Sequence, residues 1–263
     1  MSGGLVVITS AGSEQKYVTN CICAALDVQA ILVTDLPARR SWKTVLKKSP
    51  AEFLDKALWR TFLKVIGDEA RRGRDLRAVF GDECLEFREA AKVIEVGRPK
   101  AGRLRKEVER LAPDHIAVYG TGIIPDSVLA KARLKAFNMH TGISPQYRGT
   151  SCAFWPIYYR EPEMVGATVH ECVAAVDGGE IYRIVKADLF RGDSLHKVFA
   201  RAAKAGAEAY VQVLQDAIDG RLTGHKQDLS EGREFRGAMR GLRAELLTRW
   251  RLADMQRRWP IKA

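Results

Sequence analysis

Several things are scarce in this chain, and each scarcity excludes a class of protein. No run of about 18 uncharged apolar residues, the length a membrane-crossing helix needs, occurs among the 263 residues, so no transmembrane helix is expected. Met1-Ser2-Gly3-Gly4 leads straight into Leu5-Val6-Val7-Ile8. No basic stretch precedes a long apolar one there, so no secretory signal is expected. The five cysteines lack the paired offsets of a zinc site. They read as reduced thiols of a cytoplasmic protein, with no metal. Ser10-Ala11-Gly12-Ser13, after the first apolar run, holds a single glycine. The Gly-x-Gly-x-x-Gly fingerprint of dinucleotide binding is therefore missing. Internal repeats and low-complexity linkers are absent too.

What is present suffices for a full core. The chain is 46% hydrophobic and carries a net charge of +11. A basic surface suits anionic partners such as phosphates, folate glutamates, nucleic acid or acidic lipid, and equally a merely solvated cationic surface. Leu5–Thr9, 30–34, 91–96 and 116–119 read as strands, the first apolar on both faces as a parallel sheet requires. Helices are expected over 14–26, 102–111, 127–134 and 194–219, the last capped by Asp193. Between 41 and 74 lies a basic helical pair, 41–48 and 50–72. Pro50 separates the two, with Ser49 as cap and Glu52 in the first turn. Its expected role is packing on the core; a membrane-surface role is the alternative. The aromatic run 151–159 reads as helix packing, with nucleic-acid stacking as the alternative. In the tail, 221–263, eleven Lys/Arg stand against five Asp/Glu, hence +6 of the +11. Phe235, Met239, Leu242, Leu246 and Trp250 recur there at helical spacing, which predicts a helix docked on the domain with its basic face exposed.

The chemistry concentrates at Phe137-Asn138-Met139-His140 and the loop beyond it. Residues i and i+2 of a strand share a face, so an amide and an imidazole project side by side. In open α/β sheets ligands bind beyond the carboxyl ends of strands. Gly166 to Ile181 reads as a strand, a loop and a second strand, with Asp177 lying 37 positions after His140. Taken singly, these are bland. Asn-x-His is a satisfied structural pair, and Asp177-Gly178-Gly179 is a hairpin turn.

Asn138-x-His140, Pro145-x-Tyr147-x-Gly149, Gly166-x-Thr168-x-His170 and Asp177-Gly-Gly occur together, in that order. With them the chain resembles the 10-formyltetrahydrofolate-dependent formyltransferases. That superfamily includes glycinamide ribonucleotide transformylase, methionyl-tRNA formyltransferase and the sugar N-formyltransferases. The resemblance is clearest from about His115 to about Leu222, and Gly192-Asp193-Ser194 and Asp219-Gly220-Arg221-Leu222 fit it. It implies an α/β fold: a Rossmann-like formyltransferase domain over 1–222 with a mostly parallel central sheet. A helical insertion at about 41–73 and a basic helical C-terminal extension over 223–263 complete the expected organisation. That tail is too short for the β-barrel domain that methionyl-tRNA formyltransferases add.

For the site, the resemblance implies catalytic Asn138, His140 and Asp177. It implies 10-formyltetrahydrofolate as formyl donor, held by backbone of Gly120, Thr121, Gly122, Ile123 and Ile124 and of Val173, Ala174, Ala175 and Val176. Tyr147, Arg148 and His170 are the candidate substrate contacts; for His170 a structural role is equally open, and for Arg148 plain surface exposure is. The Asn138 amide and a protonated His140 are expected to donate to the developing oxyanion. Asp177 is expected to raise the His140 pKa and orient the ring. No covalent intermediate is needed, so Cys152 and Cys172 are packing residues. The expected acceptor is a primary amine of a small molecule, perhaps a nucleotide-linked amino sugar. The alternatives are glycinamide ribonucleotide, set against the single-glycine loop, and water, which would make the enzyme a formyltetrahydrofolate hydrolase. A non-enzymatic binder of RNA or anionic membrane through the basic helices comes last.

Overall fold

The computed structural model describes residues 4–36, 49–100, 102–173 and 176–257. The helix expected over 41–48, with Ala174 and Ala175, lies outside the described residues. The strands are β1 (Leu5–Thr9), β2 (Val28–Thr34), β3 (Val93–Gly97), β4 (His115–Tyr119), β5 (Lys135–His140), β6 (Tyr147–Gly149), β7 (Gly166–Glu171), β8 (Ile181–Lys186) and β9 (Arg233–Phe235). The helices are α1 (Ser13–Ala25), α2 (Pro50–Val65), α3 (Asp68–Phe80), α4 (Arg103–Leu111), α5 (Asp126–Leu129), α6 (Trp155–Tyr159), α7 (Leu195–Ile218) and α8 (Leu242–Gln256). Seven strands form one sheet in the order β3-β2-β1-β4-β5-β7-β8. The first five run parallel, and β7 and β8 are antiparallel at one edge. β6 and β9 make a separate parallel pair.

Alternation along the strands sorts the core into two layers. Leu5, Val7, Ala117, Tyr119, Phe137 and Met139 face α1, α3 and α7. Val6, Ile8, Ile116, Val118 and Ala136 face α4 and α5. The alanine-rich face of α7 lies close to the sheet because Gly206 has no side chain: a Cβ there would fall 2.7 Å from the Ala167 methyl. Asn138 and His140 alternate with Phe137 and Met139, so β5 turns them to the α4/α5 side, where the C-terminal loops open. A third apolar cluster, under α6 and α8, stacks Trp155 on Phe235 at 4.8 Å and Phe235 against Tyr147 at 5.6 Å. The aromatic run is therefore packing beside the site.

Four helical expectations need correction. The single helix over 50–72 is two, because Ile66 caps α2 and Gly67 turns left-handed (φ +64°) before α3 begins. Ser49 does cap α2, accepting from the Glu52 amide at 3.3 Å. The helix expected over 127–134 is only α5 and ends at Leu129. The cap of α7 is Ser194, whose hydroxyl accepts from the Lys197 amide; Asp193 instead takes the Phe190 amide and the Arg201 guanidinium. In the tail, Phe235 belongs to β9 and Met239 to a 3-10 turn. The apolar positions Leu246 and Trp250 are 46% and 59% exposed, while Glu245, Thr248, Leu252 and Met255 are buried. Glu245 is neutralised by two guanidinium groups and hydrogen-bonded by a third donor, which reverses the expected face: it accepts from Arg240, Arg249 and the Trp59 indole of α2. Thus α2 packs on the tail helix, and α3 reaches the core through Leu76 and Phe80. Among the described residues no helix is long and apolar enough to cross a membrane.

Candidate active site

Asn138 and His140 end β5, and β7 brings His170 alongside by pairing with Asn138 in register. The 172–180 loop then carries Asp177 back over both. One Asp177 oxygen lies 3.4 Å from His140 Nδ1, and the other lies 3.4 Å from His170 Nε2. The Gly149 amide donates to Asp177 Oδ2 at 2.8 Å. The carboxylate is thus gripped from three sides. Asp177 itself adopts a left-handed backbone (φ +48°), which an aspartate tolerates better than most residues. Gln227, from the tail, holds that turn by donating to the Asp177 and Gly179 carbonyls at 2.8 and 2.6 Å. The Asp-Gly-Gly run is therefore a loop aimed at the site and not a tight hairpin.

The loop after His140 is stapled from β7. Thr168 donates to the Gly142 carbonyl at 2.8 Å and accepts from the Ser144 amide at 3.0 Å. Gly142 is required by crowding, since a Cβ there would meet His140 Nε2 and Cys152 Cβ at 2.5 Å each. Gly149 has φ +97°, and a Cβ would lie 2.2 Å from the Phe235 carbonyl. These two glycines let the ring, the loop and β9 close around one point.

Both ring nitrogens of His140 face acceptors: Nε2 lies 3.1 Å from the Tyr147 carbonyl, and Nδ1 faces Asp177. Burial pushes the His140 pKa down; Asp177 pushes it up, His170 down, and the Tyr147 carbonyl up, and the balance is downward. The expectation that Asp177 raises it holds for that one interaction and fails for the sum, because desolvation of a fully enclosed imidazolium is the largest effect. Burial also pushes the Asp177 carboxyl up, but His140, His170 and the Gly149 amide outweigh it and hold it at about 2. At neutral pH the pair is an ionised carboxylate beside a neutral imidazole. When His140 takes up a proton, both its N–H groups have an acceptor. His170 Nδ1 lies 2.7 Å from the Glu171 carbonyl, and its Nε2 lies 3.1 Å from the Asn138 amide nitrogen and 3.4 Å from Asp177 Oδ1. His170 is thereby part of the cluster.

The other expected contacts divide. The Tyr147 ring is buried in the aromatic stack and its hydroxyl donates to Glu161, so only its carbonyl reaches the site. The Arg148 guanidinium donates to the Pro145 and Leu229 carbonyls. Gly120 turns left-handed at φ +63° directly after β4, and Thr121 closes on the Gly122 carbonyl at 2.7 Å. Ile124 and Cys172 pack into one cluster with Leu129 and Ala136, which places Cys172 beside the end of the 120–124 loop. Ile123, Val173 and Val176 are left exposed at 76%, 40% and 43%. A cavity of about 350 Å³ opens beside Val173, lined by Leu129, Ala132, Ala136 and Cys172 together with Lys135 and Glu171. Burial and then Asp177 push the Cys152 and Cys172 thiols up, Cys172 to about 12, so neither is a thiolate at neutral pH. Among the described residues no group of His, Cys, Asp and Glu is arranged to hold a metal ion.

Sequence reasoning overlooked Gln227 and the staple formed by Thr168. Gln227 lies 50 residues from Asp177 in a stretch with no motif, so nothing local marks it. Thr168 stood inside a quoted motif, and its two loop contacts follow only from the β5–β7 register.

A family model described as Formyl transferase matches residues 69–214, more than half of the chain. The methionyl-tRNA formyltransferase of Chlorobium phaeovibrioides is 32% identical over 138 residues, which cover 52% of this chain and 43% of that protein. The chain spans less than half the length of the curated relatives it matches. Among solved structures, a 4-N formyltransferase from Francisella tularensis superposes with a TM-score of 0.55 over 95% of this chain and 88% of that one, at 15% identity. A phosphoribosylglycinamide formyltransferase from Anaplasma phagocytophilum superposes at 0.56 over 89% and 97%, at 14% identity. Such identities speak for the shared fold, and the family match speaks for descent. This chain belongs to the formyl transferase family.

Proposed function

We propose that the chain transfers a formyl group from 10-formyltetrahydrofolate to a primary amine of a small-molecule acceptor. The observation that carries this reading is the convergence of Asn138, His140, His170 and Asp177 at the end of β5 in a member of this family. Attack of an amine on a formyl carbon builds negative charge on its oxygen and a surplus proton on nitrogen. Asn138 supplies an amide donor for that charge, which is worth about 3 kcal/mol when prepositioned. His140, neutral, takes the proton and passes it to N10 of the donor as the carbon–N10 bond breaks and tetrahydrofolate leaves. Asp177 stabilises the imidazolium so formed.

The donor supplies the formyl carbon and a tetrahydrofolate leaving group. A flat pterin needs apolar walls and backbone polar groups, and the cavity beside Val173, walled by Leu129, Ala132 and Ala136, offers such walls. The residues that would hold it are those of the 120–124 and 173–176 segments. A cytoplasmic setting belongs to the same proposal, since all five cysteines are free thiols. A second acceptor, methionyl-tRNA, is favoured by the names of the curated relatives. The test is tetrahydrofolate release from 10-formyltetrahydrofolate with a nucleotide-linked amino sugar, glycinamide ribonucleotide, methionyl-tRNA or water alone. Release with one amine and not with water supports the proposal and names the acceptor. Release in water alone makes the enzyme a hydrolase. An unbound donor with no release in any arm ends the reading.

A further inference from the structure

The sheet order β3-β2-β1-β4-β5 reverses direction between β1 and β4. In open α/β folds this switch point is where a ligand enters, and the helix after the first strand offers its N-terminal amides to a phosphate. Here the chain fills that position itself. The Ser10 hydroxyl, just after β1, donates to the Gly120 carbonyl, just after β4, at 2.8 Å. Gln15, in the first turn of α1, is buried between the two loops: a Cβ on either Gly12 or Gly120 would fall 2.1 Å from its amide. Glu14 is also buried, and its carboxylate accepts from Arg72 Nη2 at 2.7 and 2.9 Å. Gly12, the residue that starts the helix, contributes no side-chain cap. A carboxylate at the first turn already satisfies the positive end of the helix dipole. Arg72, the cation beside it, comes from α3 and is held by that same carboxylate.

This crevice adjoins the proposed reaction centre. Val118 of β4 pairs with Asn138 of β5, so Gly120 lies level with His140. The start of α1 follows β1, two strand spacings of about 4.8 Å from β5, so about 10 Å separates it from the His140 strand, within the span of a small acceptor.

We infer that Glu14, held by Arg72 and backed by Gln15, is a specificity-determining residue that excludes acceptors carrying a phosphate at this crevice. The acceptor on this side of the amine is neutral or hydroxylated, and any phosphate it carries lies elsewhere. The inference rests on the proposed amine acceptor, but its test does not require turnover.

Inorganic phosphate and ribose 5-phosphate are titrated at constant ionic strength into the full chain and into Glu14→Ser, Glu14→Gln and Glu14→Ser/Arg72→Ala. Binding is followed by calorimetry, and folding is checked by circular dichroism. The wild type should show no saturable binding to 10 mM, a ceiling set at roughly the weak end of specific affinity. Glu14→Ser, which frees both Arg72 and the α1 amides, should bind at least about tenfold more tightly than that ceiling, a gain of about 1.4 kcal/mol. The double variant should lose the gain. Glu14→Gln keeps the shape and removes the charge, so it covers the case in which the serine variant fails to fold. Saturable phosphate binding to the wild type, lost in Arg72→Ala, would overturn the inference. So would folded Glu14 variants that bind no better than the wild type. If the phosphate results hold while no amine is formylated, the exclusion stands and the activity reading falls alone.

Discussion

At the scale of the residue, the site sets an acceptor-rich environment around a ring that burial keeps neutral. Asn138→Ala removes one prepositioned donor and should lower kcat about 100- to 1,000-fold with little change in KM; a loss below about threefold in steady-state kinetics would remove Asn138 from the chemistry. In the proposed reaction His140 accepts a proton only while neutral, and its pKa is held below the ordinary 6.5. The rate should therefore be flat from about pH 7 upward and fall on the acid side, with a midpoint under that value. Asp177 pushes the His140 pKa up, so Asp177→Asn should slow the reaction and move the midpoint further down; an unmoved midpoint would show that another group titrates. Gly149→Ala places a methyl 2.2 Å from the Phe235 carbonyl at φ +97°. It should cost about 2 kcal/mol in urea denaturation, and also reduce activity, because the same residue's amide grips Asp177.

At the scale of the element, the polar pair on β5 was legible because strand alternation is local: once 135–140 is extended, Asn138 and His140 must share a face. Ser49 and Pro50 at the start of α2 were legible for the same reason. The tail helix was legible as a helix and misjudged in orientation. Hydrophobic spacing marked Leu246 and Trp250 for burial, but Glu245 is the side chain that lies fully buried, because Arg240, Arg249 and Trp59 meet it there. Two of those partners lie on the tail itself and the third on α2, and no periodicity argument joins α2 to the tail. The arginines that made the tail look like a solvated basic face are partly spent inside this junction. Glu245→Ala leaves Arg240 and Arg249, each about a quarter exposed, without their common partner. Partial hydration softens the full penalty of a broken buried pair, so a loss of about 2–3 kcal/mol is expected from denaturant melts. A change under about 0.5 kcal/mol would show that the junction does not hold α2 and α8 together.

At the scale of the whole molecule, the protonation of its buried groups points one way. His115 and His140 are held below their ordinary 6.5, in both cases by burial first. The folded state therefore binds fewer protons than the unfolded chain below that pH, and stability falls as acid is added. Asp68 and Asp177 lie below their ordinary 3.8, Asp177 at about 2; the stability they contribute is present above 3.8 and is lost as pH drops toward 2. For Asp177 the difference corresponds to about 2 kcal/mol. The urea midpoint should therefore decline from pH 7 to 5 and again from 4 to 2.5, and Asp177→Asn should flatten the second decline. A midpoint that holds or rises on acidification would contradict the burial of these groups.

The amino-acid order alone determined the strands of the main sheet, most helices, the facing amide and imidazole, and the motif sequence that points to the family. All of these depend on neighbours within a few residues, where backbone geometry dictates which side chains share a face. Only the tertiary structure decided that His170 joins the cluster, that Gln227 secures the Asp177 turn, that Glu14 stands in the switch-point crevice, and that His140 is neutral. Each is a sum over atoms brought together from distant parts of the chain. Burial in particular belongs to no single residue: it is produced by everything packed around it, and here it outweighs the nearest charge.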